Sequence, residues 1–254
     1  MIQNESRFDD LIQAALAQDF SGWDFSYLQG RWDEEAIPWS YETIVKKHMQ
    51  GIDSLLDMGT GGGEFLASLA PLPENTHATE AWQPNVPIAR KRLEPMGITV
   101  HAIEEYAPLP FPDAHFDRVI NRHEWYDPSE VYRILKPGGL FITQQVGDKN
   151  DLRLNELISG QAPEYDTAWN LSIAQKQFAE TDFRITQAED SFTPLHFFDI
   201  GAIVYYLKVV EWQIPDFSVE KYRSQLGIIH NMIERDGKLT VEQHRFILIA
   251  QKPE

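Results

Sequence analysis

The run Leu55-Leu56-Asp57-Met58-Gly59-Thr60-Gly61-Gly62-Gly63-Glu64 sets a carboxylate and four glycines between an apolar segment and a helix-forming one. Glycines at this spacing expose backbone amides and allow positive φ, so the loop can approach a ligand closely. A P-loop would need Gly-x-x-x-x-Gly-Lys-Ser/Thr, and the phosphate-neutralising lysine is missing. The dinucleotide pattern Gly-x-Gly-x-x-Gly fits at Gly59 and Gly61 but meets Glu64 where its third glycine belongs. That puts an anion at the helix N-terminus where a pyrophosphate would sit. What remains is Asp-x-Gly-x-Gly-x-Gly from Asp57 to Gly63, an acidic loop suited to a ligand without phosphate.

Two further groups could do chemistry. Glu80 ends the predicted second strand, where a carboxylate accepts hydrogen bonds from ribose hydroxyls; the ribose of NAD would be served as well. The predicted fourth strand delivers Asn121, Arg122, His123 and Glu124 to the carboxyl edge of the sheet, and the fifth delivers Gln144 and Gln145, one of which should face the same cavity. His123 is the first choice of base, because its unperturbed pKa lies near neutrality. Glu124 would be the base itself or the group orienting His123, and Arg122 an anion clamp. An ion pair that only ties the loop is the alternative.

The elements that position these residues alternate between strand and helix, the pattern of a mostly parallel sheet covered on both faces. Helical spacing of Phe8, Leu11, Ile12, Ala15 and Leu16 predicts a helix over 6–18. Strands are expected at Ile52–Asp57, Thr76–Glu80, Ile98–Ile103, Phe116–Asn121, Leu140–Gln145, Phe183–Gln187 and His244–Ala250. Asp127-Pro128-Ser129-Glu130 reads as a capping box, Lys136-Pro137-Gly138-Gly139 as the stop of that helix, and Arg90-Lys91-Arg92 as a solvated face. Trp23, Phe25, Tyr27, Trp32 and Trp39 could cap a ligand or form the small core of an N-terminal lid.

The glycine loop resembles the first motif of class I S-adenosylmethionine-dependent methyltransferases, and "EEYAPLPFPDAHFDRV" and "RILKPGGLFIT" resemble the ubiquinone-biosynthesis type, the methyltransferase domain 11 group. The resemblance implies a Rossmann-like α/β fold with seven strands ordered 3-2-1-4-5-7-6, the seventh antiparallel, and helices on both faces. It implies S-adenosylmethionine as cofactor, with Asp57, Gly59, Thr60, Gly61, Gly63, Glu80 and Asn121 at its site. Glu105 falls where the family holds the adenine amino group, with Glu104 as the reserve, and Tyr106 where a backbone amide is presented. The long segment from Glu189 to Gln243 departs from the hairpin common in such proteins and is expected to be a helical lid with helices at Asp199–Trp212 and Val219–Glu234. The domain reading is an N-terminal segment 1–39, a cofactor-binding core 40–188, the insert 189–243 and the last core strand 244–254.

Composition narrows the acceptor. A net charge of -17 works against a polyanionic substrate, so a small molecule is expected and nucleic acid is not. Zero cysteines remove thiolate zinc sites and a cysteine nucleophile, and the histidines lack ligand spacing, so no metal is expected. The absence of a signal-like N-terminus or a membrane-length apolar run predicts a cytoplasmic protein. The function expected is methyl transfer to a small molecule, with an rRNA methyltransferase, a non-catalytic cofactor-binding protein and an NAD-dependent oxidoreductase as alternatives.

Overall fold

The computed structural model describes residues 2–21, 24–161 and 168–254. Helix α1 (Ile2–Leu16) is followed by a short strand β1 (Trp32–Glu34) and α2 (Tyr41–His48). The first half of the sheet is built from β2 (Ser54–Met58), α3 (Glu64–Ser68), β3 (Asn75–Glu80), α4 (Val86–Leu93) and β4 (Thr99–Ala102). The second half comprises β5 (Phe116–Arg122), α5 (Pro128–Ile134), β6 (Leu135–Val146), α6 (Leu152–Ser159), α7 (Leu171–Ala179), β7 (Arg184–Phe197), α8 (Ile200–Val209), α9 (Val219–Asp236) and β8 (Leu239–Gln251).

The eight strands form one sheet ordered β1-β7-β8-β6-β5-β2-β3-β4. Without β1 this is the expected seven-stranded order, with β8 antiparallel to both β6 and β7. Strand β2 is buried along its whole length, as a central parallel strand covered on both faces must be. One face packs under α2, α3 and α4 through Val45, Leu66 and Leu93. The other packs under α5 and α7 through Val131, Ile134 and Phe178.

Two strand boundaries differ from expectation. Strands β7 and β8 pair along their length, from Arg184–Gln251 to Phe197–Leu239, so 189–197 and 239–243 are strand rather than insert. The polar run Gln187-Ala188-Glu189-Asp190-Ser191 shows no apolar alternation because much of it is solvated, and only the pairing with distant β8 makes it a strand. Strand β1 went unpredicted for the same reason: Trp32 to Glu34 are held by antiparallel pairing with Leu195 to Phe197. The far end of this hairpin carries α8 and α9, which pack with α1 and α6 around Tyr205, Leu226 and Ile229 as a separate apolar cluster. Phe25 stacks on Trp32, and Tyr27 meets Tyr205, so these aromatics belong to that cluster; Trp23 lies outside the described residues. No helix among the described residues is long and apolar enough to cross a membrane.

Candidate active site

The parallel strands bring their carboxyl ends to one edge, and every predicted site residue lies there or in the loops leaving it. Gly59, Gly61 and Gly63 all have positive φ, at 69°, 62° and 81°. A Cβ on Gly59 would come within 2.5 Å of Glu124 Cβ, so this glycine is required by close approach as well as by φ. The Gly61 amide donates to Glu80 Oε2 at 2.7 Å and the Trp82 amide to Glu80 Oε1 at 2.8 Å, which fixes the carboxylate beside the loop. Burial pushes Glu80 up to about 7, with the charges of Glu124 and Asp57 acting in the same direction. Asp57, one residue before the end of β2, is buried; burial raises it to about 6, partly offset by Thr60 and the Arg122 charge.

The run read as a solvated face contributes to the loop. Arg92 of α4 donates to the Gly62 carbonyl and to the Glu64 carboxylate, so it clamps the loop to the start of α3. No local pattern separates Arg92 from Arg90 and Lys91; the partner is supplied by the packing of α4 beside α3.

Below the loop a cleft is lined by Met58, Gly59, Glu105, Tyr106, Glu124 and Trp125, among others. Tyr106 sits at φ 62° and its exposed ring meets Trp125 edge-on at 4.7 Å. Glu105 rather than Glu104 lines the cleft. Glu124, expected beyond the cofactor, instead walls this cleft against Gly59, and burial raises its carboxyl above the usual range with Glu105 adding repulsion. The Asp127 side chain accepts from Ser129 N as an N-cap. The second half of the capping box is not formed: Glu130 holds Arg133 and accepts from Leu109 N.

Arg122 and His123 turn to the other side. The Arg122 guanidinium lies over the Phe65 ring at 4.3 Å. His123 has φ 64° and is an exposed residue whose Nε2 edge turns in against the Gln144 side chain. Its proton position follows from its neighbours. Trp39 Nε1 can only donate, and it does so to Gln144 Oε1 at 2.8 Å, so the Gln144 amide nitrogen faces His123 Nε2 at 3.2 Å. Nε2 therefore accepts and Nδ1 carries the proton. Burial, with the charges of Arg245 and Arg122, lowers His123 well below the ordinary histidine value. The ring is neutral at pH 7 and its free face is an N–H donor, which removes the expectation of a base titrating near neutrality.

Gln145 points the opposite way from Gln144 and braces the loop, donating to Asn121 Oδ1 at 2.6 Å and to the Glu124 carbonyl at 3.0 Å. Asn121 is wholly buried; its Oδ1 also accepts from Thr143, while its Nδ2 has no partner among the described residues. The glycine loop, the ordered Glu80 carboxylate, the acid at Glu105 and this orphaned donor fit a cationic nucleoside ligand better than a pyrophosphate, since the start of α3 is already occupied by Glu64 and Arg92. Sequence reasoning missed Arg92, the Trp39–Gln144–His123 chain and Arg245, each of which depends on a residue far away in sequence.

Residues 56–143 match the family described as Methyltransferase domain. A protein-L-isoaspartate O-methyltransferase of Dictyoglomus thermophilum is 27% identical over 137 residues, a match spanning 46% of this chain and 59% of that relative. Among solved structures, a candidate methyltransferase from Bacillus halodurans C-125 aligns with TM-score 0.59 and 18% identity, covering 85% of this chain and 99% of its own. A geranyl diphosphate methyltransferase in complex with S-adenosylmethionine aligns with TM-score 0.50 and 14% identity, covering 83% of this chain and 84% of its own. At these identities the two structures speak for the fold, and the matched segment contains the glycine loop, Glu80 and the end of β5. The chain carries a class I S-adenosylmethionine-dependent methyltransferase domain.

Proposed function

We propose that this protein transfers the methyl group of S-adenosylmethionine to a small-molecule acceptor. The observation that carries the reading is the placement at one carboxyl edge of a cleft walled by Glu105 and Glu124 beneath the glycine loop and of a distinct polar cluster of Arg122, His123 and Gln144 beside it, one for each of two reactants. The net charge of -17 and the small-molecule acceptor named for the geranyl diphosphate enzyme support this acceptor class over a nucleic acid.

The cofactor, when bound, supplies an electrophilic methyl on a sulfonium, and the protein's part is alignment in a shaped, dry site. Asp57, Gly59, Thr60, Gly61, Gly63, Glu80, Glu105, Tyr106 and Asn121 would hold it. In this reading Glu124 joins them as a wall of the cleft, His123 orients the acceptor through Nδ1–H, and Arg122 stands at the boundary. In the same reading α8 and α9, together with α1, act as a cover for the acceptor side. Hydrogen exchange across 198–238 should slow when acceptor joins the cofactor complex; unchanged exchange would make it a fixed cover.

Calorimetry with S-adenosylmethionine, S-adenosylhomocysteine, NAD and ATP tests the cofactor. Methyl-transfer assays on small metabolites and on rRNA test the acceptor. Binding of NAD alone, or turnover on rRNA alone, would overturn the respective half of the proposal.

A further inference from the structure

Two cations near His123 are not accounted for by the cofactor cleft. Arg122 ends β5 and Arg245 lies on β8, far apart in sequence. Arg122 is registered with Gln144, Gln144 with Ile247 and Val146 with Arg245, so Arg122, Gln144 and Arg245 project from the same face of the sheet at its carboxyl edge. Both guanidinium charges bear on His123.

Neither arginine has a counter-ion within pairing distance among the described residues. Arg122 has only the Phe65 ring. Arg245 uses Nη1 on Asn150 Oδ1 and the His244 carbonyl, which leaves Nε and Nη2 without a described partner. Asp57 feels the charge of Arg122 and Asp151 that of Arg245, but neither forms an ion pair with it. The Asp151 carboxylate accepts at Oδ2 from the Tyr206 hydroxyl and the Asn150 amide, each at 2.6 Å, while its buried Oδ1 has no partner among the described residues; Glu34 accepts from the Gln243 amide at 2.8 Å. Elsewhere Arg31, Arg92 and Arg133 each hold a carboxylate. In a chain with 39 acidic and 22 basic residues, two guanidiniums without a carboxylate partner on one face of the sheet are available to hold an anion brought by a ligand.

Building on the methyl-transfer reading, we infer that the acceptor is a small molecule bearing a carboxylate or phosphate, and that Arg245 and Arg122 hold this group on the face of the sheet beside His123. Arg245 presents a guanidinium fixed at one nitrogen by Asn150, so its remaining donors are pre-aimed for two-point recognition of a planar or tetrahedral oxyanion. His123, neutral and proton-bearing at Nδ1, then donates to the rest of the same molecule.

The test uses the full-length protein saturated with S-adenosylhomocysteine, with His123 followed by NMR through its imidazole nitrogens. Acetate and inorganic phosphate are added at millimolar concentration, with acetamide and sodium chloride of equal ionic strength as controls. An anion seated between the arginines offsets their repulsion of imidazolium, so at least one of the two anions should raise the His123 pKa by about half a unit or more beyond the controls. Arg245→Gln should abolish the response, and Arg245→Lys, which keeps the charge and the fold but loses the fork, should weaken it severalfold. The inference is overturned if neither anion moves His123 beyond the salt control, or if both act equally well on the Arg245 variants. Calorimetry of S-adenosylhomocysteine on the same samples separates the failures: no cofactor binding defeats the methyl-transfer reading, whereas binding without an anion response defeats only this inference.

Discussion

The two halves of the carboxyl edge are built from opposite charges and by opposite means. Around the glycine loop, Asp57, Glu80, Glu105 and Glu124 gather four carboxylates. On the β5–β6–β8 side, Arg122 and Arg245 share a face of the sheet with Gln144, whose amide meets His123 and whose oxygen accepts from the Trp39 indole. The first half is assembled mainly from one loop and the strand ends beside it. The second needs Trp39, His123, Gln144 and Arg245, which meet only after the whole sheet has formed. An acidic cleft favours a ligand with an ammonium, a sulfonium and ribose hydroxyls, and a basic face favours an anion, so the charge division itself keeps two reactants in their own places.

The largest effect should come from the loop on the acidic side. Gly59→Ala puts a methyl into a φ of 69° and against the Glu124 side chain, so it must displace either the loop or the cleft wall. S-adenosylhomocysteine affinity measured by calorimetry should fall by roughly 100-fold or more. Near-normal affinity would mean that the cofactor does not lie along this loop, and the comparison of the two halves would lose its first term.

Glu80→Gln comes next. Removing the charge-assisted bonds to ribose should weaken the cofactor by about 1.5 to 3 kcal/mol. The same variant sharpens the electrostatics. Folded Glu80 binds its proton up to about 7, against 4.5 as its ordinary value, so the native state holds more protons than the unfolded chain between those limits. Stability without ligand should therefore fall as pH rises from about 4.5 to 7, and Asp57, raised to about 6, acts in the same sense. Glu80→Gln should flatten part of that slope, by up to about 3 kcal/mol of order. Thermal unfolding of both proteins from pH 5 to 8 reads it, and parallel curves would show that Glu80 is not the group under strain.

The legibility of the two halves follows from how they are made. The glycine run, Asp57 and Glu80 could be read from the sequence because strand and turn chemistry is local, and the strand order followed from the alternation of elements. Arg245 could not, because nothing around it in "EQHRFIL" distinguishes a cation facing a site from one facing water; its place is set by register with β6. Glu124 was expected with Arg122 and His123 because all three leave the end of the same strand, whereas its side chain lies against Gly59, and His123, at positive φ, turns to Gln144. The hairpin of β7 and β8 was shortened in the same way, since polar strand residues gain their partners only across the fold.

His123→Ala breaks the comparison from the basic side. It should leave cofactor affinity within about twofold and lower turnover on the true acceptor by about tenfold, the loss of one orienting hydrogen bond of about 1.4 kcal/mol. Since the native ring resists protonation, the fall in wild-type activity attributable to His123 should appear as pH drops through a value well below 6.5, and activity should be flat across it at neutral pH. A His123-dependent limb near neutrality would instead show that the Gln144 amide does not occupy Nε2.

The smallest effect tests whether the two halves are separable at all. Arg92 touches neither ligand region directly; it ties Gly62 and Glu64 together from α4, and both partners are substantially solvated, at 37% and 46% side-chain exposure for Arg92 and Glu64. Partly exposed pairs of this kind contribute about 0.2 to 1 kcal/mol, so Arg92→Met, which keeps the aliphatic packing, should weaken S-adenosylhomocysteine by no more than about fivefold. The anion response of His123 should be untouched, because β8 and the Trp39–Gln144 chain do not pass through α4. A change in the His123 pKa in this variant would mean that loosening the glycine loop reaches His123 through Arg122, whose guanidinium rests on Phe65 in the same helix as Glu64. The boundary between the two halves would then be a mechanical link, with Arg122 as the residue that carries it.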